Sequence, residues 1–136
     1  QYLRDYLKDY DYVGVGRTDG KEKGEFTPVF YLKDKYEALD KGNFWLSETP
    51  DVPGSKGWDA AIERVASYVK VKDKAIGRIF MAINTHYDHV GVTARKESAK
   101  LIMKKIQEIS TKMSVFTKYI EEMCKIHRMA QQQKYY

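Results

Sequence analysis

The chain contains few of the features that mark disulfide-rich, thiolate-metal or membrane-spanning proteins. Its single cysteine, Cys124, excludes an internal disulfide and a zinc site built from several cysteines. No run approaches the ~20 apolar residues that a membrane-spanning helix requires, and residues 1–12 lack the apolar centre of a signal peptide. Because the chain begins with Gln1 rather than Met, we expect it to be a piece of a longer protein.

The excess of positive over negative charge is also small. The 24 basic and 19 acidic residues give a net charge of +5. Nucleic-acid-binding domains usually cluster their basic residues, whereas acids and bases alternate here, as in residues 33–41, so a solvated surface is favoured over a phosphate-attracting patch. The eleven tyrosines and the 43% hydrophobic content predict a folded chain, whose length of 136 residues suits one domain.

The pattern along the chain predicts a strand-rich α+β domain. Strands are expected over 11–15, 26–32, 36–39, 43–47, 64–71 and 78–85, and helices over 1–10 and 94–110, with Thr93 as the N-cap of the second. The most apolar strand, 78–85, is expected to be central, well buried and paired with 64–71. The loop 48–57 is rich in proline and glycine. A further strand is expected from 112, followed by helical spacing over 118–136.

Polar residues crowd the point where the 78–85 strand ends. Asn84, His86, Asp88 and His89 fall within six residues. A histidine at a strand end is suited to general acid catalysis or phosphate binding, because imidazole ionises near neutral pH. A histidine hydrogen-bonded for structural reasons is the alternative. The pattern also resembles a metallo-β-lactamase-like metal motif, but that motif requires a histidine where Asn84 stands.

Two other groups are candidates for a site. Glu25 opens a strand after a glycine-rich loop, and a carboxylate beside a histidine fixes the tautomer of the ring. Trp45 and Trp58 bracket the 48–57 loop and suggest the wall of a cleft, while Arg64 is suited to pairing with a phosphate oxygen. Taken singly, each of these residues also fits ordinary packing or a solvated strand edge.

Four motifs in order along the chain, GEFTPVFY, FWLSETP, GWDAA and NTHYDHVG, resemble the endonuclease/exonuclease/phosphatase superfamily, and more closely its bacterial branch. The resemblance implies a four-layered, deoxyribonuclease I-like α/β sandwich of mostly antiparallel strands, here present in part, that cleaves phosphate esters with Mg²⁺ or Mn²⁺. It implies that His86 contacts the scissile phosphate and that Glu25 contacts His86. Asn84, Asp88, Trp58 and Arg64 match family positions near the substrate.

The resemblance also implies motifs that the chain does not contain. The metal-binding glutamate of the family precedes the segment that matches residues 9–16, and its Gly-Asp-Phe-Asn and Ser-Asp-His motifs follow the helix 94–110. We therefore expect residues 1–117 to form a partial domain, with 118–136 a divergent helical tail, in a truncated or rearranged reading frame. No metal ligand is assigned within the chain, and Mg²⁺ binding by the chain alone is expected to be weak.

The expected function is that of a metal-dependent phosphoesterase, whether phosphodiesterase, nuclease or phosphatase, impaired in this chain. The alternative is a catalytically inactive fragment that acts as a binding or scaffold piece. The substrate is expected to be a phosphate ester, and nucleic acid, a lipid headgroup and a sugar phosphate all remain open. Self-association through the incomplete sheet is a further expectation.

Overall fold

The computed structural model describes residues 2–111, without the side chain of Tyr2. In chain order the elements are α1 (Tyr2–Tyr6), β1 (Tyr10–Val13), β2 (Val29–Leu32), β3 (Tyr36–Trp45), β4 (Val65–Asp73), β5 (Ile79–Thr85) and α2 (Val92–Thr111). All strand pairs are antiparallel, which confirms the α+β class. The strand expected from 112 and the tail 118–136 lie outside the described residues.

Two compact units divide the chain, residues 1–98 and 99–136. In the second unit the structure describes the part of α2 from Ala99 to Thr111, where Glu108 lies 3.7 Å from the ammonium of Lys105. No helix among residues 2–111 is both long enough and apolar enough to cross a membrane. All the candidate site residues belong to the first unit.

The first unit contains two sheets that pack face to face. Strand β1 pairs with β2, and a second sheet has the order β3–β4–β5. Val13 and Tyr31 from the first sheet are buried in one cluster with Val69 and Val71 from β4. Alternate residues of an antiparallel strand share a face, so the alternation of valines along β4 supplies the apolar surface that the β1–β2 hairpin covers.

Two expectations about the strands are wrong. The segments 36–39 and 43–47 are not separate strands: residues 36–45 form β3, because a register shift between Ala38 and Asp40 absorbs the irregularity without ending the strand. The central, best-buried strand is β4 rather than β5. Among the described residues β5 pairs only with β4, and Phe80 on β5 remains 39% exposed.

Candidate functional site

Antiparallel pairing of β4 with β5 brings together two segments that are distant in sequence. Ala66 near the start of β4 lies opposite Thr85 at the end of β5. Arg64, directly before β4, therefore lies beside the loop 86–91 that follows β5. Its Nε donates to Oδ1 of Asp88 at 3.3 Å, and both residues are buried. A buried arginine and a buried aspartate thus form the base of the candidate site.

Asp88 is also the anchor of the two loops around the site. Its carboxylate accepts hydrogen bonds from the backbone N–H groups of Ala61 at 3.0 Å, Val90 at 3.1 Å and Gly91 at 2.8 Å. Burial alone would raise the pKa of the Asp88 carboxyl, but these backbone N–H groups outweigh burial and hold that pKa far below its ordinary value. Asp88 is therefore a charged structural centre, with little capacity left for an external ligand.

Both histidines of the loop bind the same guanidinium. Nη1 of Arg64 lies 2.9 Å from Nδ1 of His86, and Nη2 lies 3.0 Å from Nδ1 of His89. A guanidinium has donors only, so each Nδ1 must accept and each neutral ring carries its proton on Nε2. The rest of each ring is exposed, to 63% for the His89 side chain. The arrangement presents two imidazole N–H donors above the buried Arg64–Asp88 ion pair.

Glu25 does not form the hydrogen bond to His86 that the sequence analysis expects. Its carboxylate instead accepts from Nη1 of Arg17 at 2.6 Å and is half exposed. The reason is local: a bridge between Gly16 and Phe26, with the Arg17 amide bound to the Glu25 carbonyl, places these two side chains next to each other. Arg64 meanwhile occupies the Nδ1 position of His86 that a carboxylate would use.

Glu63, the residue directly before Arg64, binds Thr18, the residue directly after Arg17. Its carboxylate accepts from the Thr18 hydroxyl at 2.8 Å. That hydrogen bond is the main cause of the lowered pKa of Glu63, and the charges of Arg17 and Arg64 contribute to it. Among the described residues, the Glu25 carboxylate is hydrogen-bonded to Arg17 and not to His86 or His89.

Asn84 and Trp58 are positioned by the same loops but outside the cluster. The Asn84 amide donates to the carbonyl of Pro28 at 2.9 Å and ties the end of β5 to the segment before β2. Trp58 has a left-handed backbone with φ of 47°, an uncommon conformation for a non-glycine residue. Its N–H binds both carboxylate oxygens of Glu48, at 3.0 and 3.2 Å, which stabilises that conformation.

Asp59, a residue from a distant loop, caps the start of α2, and the sequence pattern gives no sign of this role. The carboxylate of Asp59 accepts from the amides of Thr93 at 3.3 Å and Ala94 at 2.7 Å. Thr93 lies inside the helix, which starts at Val92, so its assignment as N-cap is wrong. Asp59 and Asp88 together hold the 57–64 loop against the start of α2.

Within residues 2–111 no three histidine, cysteine or carboxylate side chains are close enough to hold a metal ion. The Asp88 carboxylate is already bound by backbone amides and Arg64, and Glu25 is paired with Arg17. These residues do not by themselves form the octahedral oxygen site that Mg²⁺ requires.

No family model matches the chain, but several solved structures do. The chain is 60% identical to the endonuclease/exonuclease/phosphatase from Bacteroides vulgatus, with a TM-score of 0.77 and coverage of 79% of this chain and 41% of that one. A Bacteroides thetaiotaomicron protein described as endonuclease/exonuclease/phosphatase family is 51% identical, with a TM-score of 0.76 and coverage of 79% and 40%.

A third solved structure, the mannosyl-6-phosphatase of Bacteroides thetaiotaomicron VPI-5482, is 50% identical, with a TM-score of 0.76 and coverage of 80% of this chain and 40% of that one. An uncharacterized protein of Acanthamoeba polyphaga mimivirus is 29% identical, with 68% of this chain and 16% of that protein covered. The chain therefore spans about two fifths of the length of the solved bacterial structures that it matches.

Proposed function

The chain belongs to the endonuclease/exonuclease/phosphatase family, as part of its domain, and we propose that it supplies the phosphate-binding side of a metal-dependent phosphoesterase site. The observation that carries this proposal is the pair of exposed imidazoles bound to the buried Arg64. Phosphate oxygens are ionised acceptors that bind strongly to such N–H donors, and Arg64 holds both rings in place.

In this proposal His86 donates from Nε2 to an oxygen of the scissile phosphate. Arg64 fixes the tautomer that makes this possible, since it binds Nδ1 at 2.9 Å. Glu25 acts indirectly, by holding Arg17, whose charge acts on Glu63 directly before Arg64. Trp58 lies on the adjoining 57–64 loop and Asn84 near the end of β5, and there we place the part of the substrate beyond the phosphate.

A divalent metal in the intact enzyme would stabilise the charge that develops on the phosphoryl group. Since residues 2–111 offer no three-ligand site, we derive no step through the metal. We propose that the chain alone binds phosphate esters but turns them over slowly or not at all. Among the substrate classes, a sugar phosphate is supported by the 50% identity to a mannosyl-6-phosphatase.

The test is binding and hydrolysis by the 136-residue chain. Mannose 6-phosphate, p-nitrophenyl phosphate, its bis ester and plasmid DNA would be assayed with Mg²⁺ or Mn²⁺, and mannose 6-phosphate binding would be measured by calorimetry. We expect measurable binding, weakened about tenfold in His86→Ala because one hydrogen bond to a charged group is lost, with little turnover. The matched control is Tyr87→Phe, on the same loop but outside the cluster.

Equal binding by the wild type and His86→Ala would remove the proposed role of His86. Absence of any binding would favour the alternative of a scaffold piece. Metal-dependent turnover that His86→Ala abolishes would instead show that the chain contains a complete site.

A further inference from the structure

One guanidinium binds two exposed imidazoles in the same way, and the family resemblance assigns a role to only one of them. We propose that His89 is a second substrate-contacting histidine, and that Arg64 is the positioning residue that holds both rings with the proton on Nε2. This inference rests on the proposed phosphate-binding function and deepens it, because it specifies two donors to the same phosphoryl group.

His86 and His89 have the same tautomer for the same reason. The distances from Arg64 to Nδ1 are 2.9 Å for His86 and 3.0 Å for His89. If either Nδ1 carried a proton, two N–H groups would face each other, so each Nδ1 must be an acceptor. In the described part of the chain, neither Nε2 has a protein partner. Two equivalent N–H donors are thus available to an outside acceptor.

The loop conformation explains why two residues three positions apart reach the same arginine. Asp88 between them is turned inward and held by the amides of Val90 and Gly91. This tight turn directs His86 and His89 to opposite ends of the Arg64 guanidinium, whose side chain is 5% exposed. The rings are therefore fixed at their inner edges and exposed at their outer edges.

A phosphoryl group has several oxygens, so it offers one acceptor to each of the two Nε2–H groups. Two donors fixed before binding lose less conformational entropy than mobile side chains would. The guanidinium itself, with all three nitrogens bound to Asp88, His86 and His89, does not need to contact the substrate. Arg64 acts by fixing the orientation and the tautomer of the two imidazoles.

The tautomers can be read directly by long-range ¹H–¹⁵N NMR of the full chain, whose three histidines are assigned by single substitutions. We expect His86 and His89 both to be protonated at Nε2, and both Nε2 signals to shift on titration with inorganic phosphate. Arg64→Lys should give mixed tautomers at one or both rings, because lysine lacks the forked donor.

Two substitutions separate binding from structure. His89→Asn keeps an acceptor near the Nδ1 position but has no donor at Nε2, whereas His89→Gln keeps an N–H near Nε2 and loses the acceptor. We expect His89→Asn to weaken phosphate binding about tenfold with an unchanged thermal midpoint, and His89→Gln to weaken it less. Phosphate affinity within twofold of wild type in His89→Asn would overturn the inference.

The outcomes also distinguish this inference from the proposed function. A phosphate-dependent shift at His86 alone would refute the role of His89 and leave the proposed function intact. No shift at either ring would refute both. A wild-type chain with His89 protonated at Nδ1 would refute the positioning role of Arg64, even if the Arg64→Lys variant does not fold.

Discussion

At the residue scale, Asp88 is the group on which the geometry of the site depends. It neutralises the buried Arg64 and gathers amides from both neighbouring loops. Removal of one member of a buried ion pair leaves a buried charge without a partner. The free-energy cost of that charge is larger than the net stabilisation that the intact pair provides. The orientation of both histidines therefore depends on a residue whose carboxylate is already bound by backbone amides and Arg64.

This dependence predicts a pH-sensitive cost for Asp88→Asn. We expect the free energy of unfolding to fall by about 3 kcal/mol near neutral pH, because Arg64 loses its carboxylate. The fold lowers the pKa of Asp88 below 3.8, so the stabilisation by the ionised form is complete above that value and is lost as the pH falls toward the folded pKa. The difference in the free energy of unfolding between wild type and Asp88→Asn should therefore become smaller below about pH 4.

Urea unfolding followed by tryptophan fluorescence across this pH range is the measurement. The control is Asp34→Asn, an exposed aspartate outside the site, for which no such difference is expected. If the difference in the free energy of unfolding between wild type and Asp88→Asn stays constant from neutral to acid pH, the ionised carboxylate is not the stabilising form.

The residue types of the site follow from the sequence, but their pairing does not. Arg64 and Asp88 are separated by 24 positions, and only the register of β4 with β5 brings them together. The expected partner of His86 is Glu25, because a carboxylate is the usual ring-orienting group, yet the structure gives His86 an arginine. The partners of long side chains such as Arg17 and Arg64 are determined by tertiary packing, which the local sequence pattern does not encode.

At the element scale, the start of α2 depends on a residue from a distant loop. Asp59 binds the amides of Thr93 and Ala94, which would otherwise be without intrahelical partners. A Cβ on Gly91 would lie 2.7 Å from the Asp59 carboxylate, so only glycine allows this close approach. The GWDAA motif is therefore at least partly structural.

We expect Asp59→Ala to lower the free energy of unfolding by about 1 kcal/mol, the usual cost of losing a helix cap. Thr93→Ala, at the position that the sequence pattern indicates as the cap, should change it much less, because the Thr93 hydroxyl does not cap the helix. Chemical denaturation of both variants is the measurement. A larger loss in Thr93→Ala than in Asp59→Ala would contradict the non-local cap.

The elements themselves were predictable to different degrees. Periodicity located α2 and the β4–β5 hairpin, because apolar spacing in those segments reflects burial directly. It failed for the order within the sheet: the lysines and tyrosine of β4 suggest partial exposure, yet Lys70 is 3% exposed and the strand is central. Burial of a long amphipathic side chain depends on which residues cover its aliphatic part. Those residues are set by the tertiary structure and cannot be read from the local sequence.

At the scale of the whole molecule, β5 has one edge that no described strand covers. Its residues are largely half-buried, and the strand has the apolar sequence IFMAINT. Open edges of this kind tend to pair with other strands. Since the chain spans about two fifths of its solved relatives, we expect this edge to mediate self-association.

Met81→Glu should reduce that self-association. Met81 lies directly opposite Lys70 on β4, so the new carboxylate gains a basic neighbour within the fold and places a charge on the open edge strand. Sedimentation velocity at several concentrations would show a shift toward monomer. The control is Ile76→Glu, in the β4–β5 turn at 71% exposure, and an equal effect of the two variants would contradict a role for the edge.

Binding of a divalent metal by the chain depends on whether its carboxylates are already bound by other groups. Asp88 is bound by amides and Arg64, Glu25 by Arg17, and Glu63 by Thr18. Mg²⁺ requires well-placed oxygen ligands and gives up its water reluctantly, so calorimetry should show at most weak, millimolar-range binding. Glu25→Gln should leave that binding unchanged. Tight stoichiometric binding that Glu25→Gln abolishes would instead make Glu25 a ligand that releases Arg17 when the metal arrives.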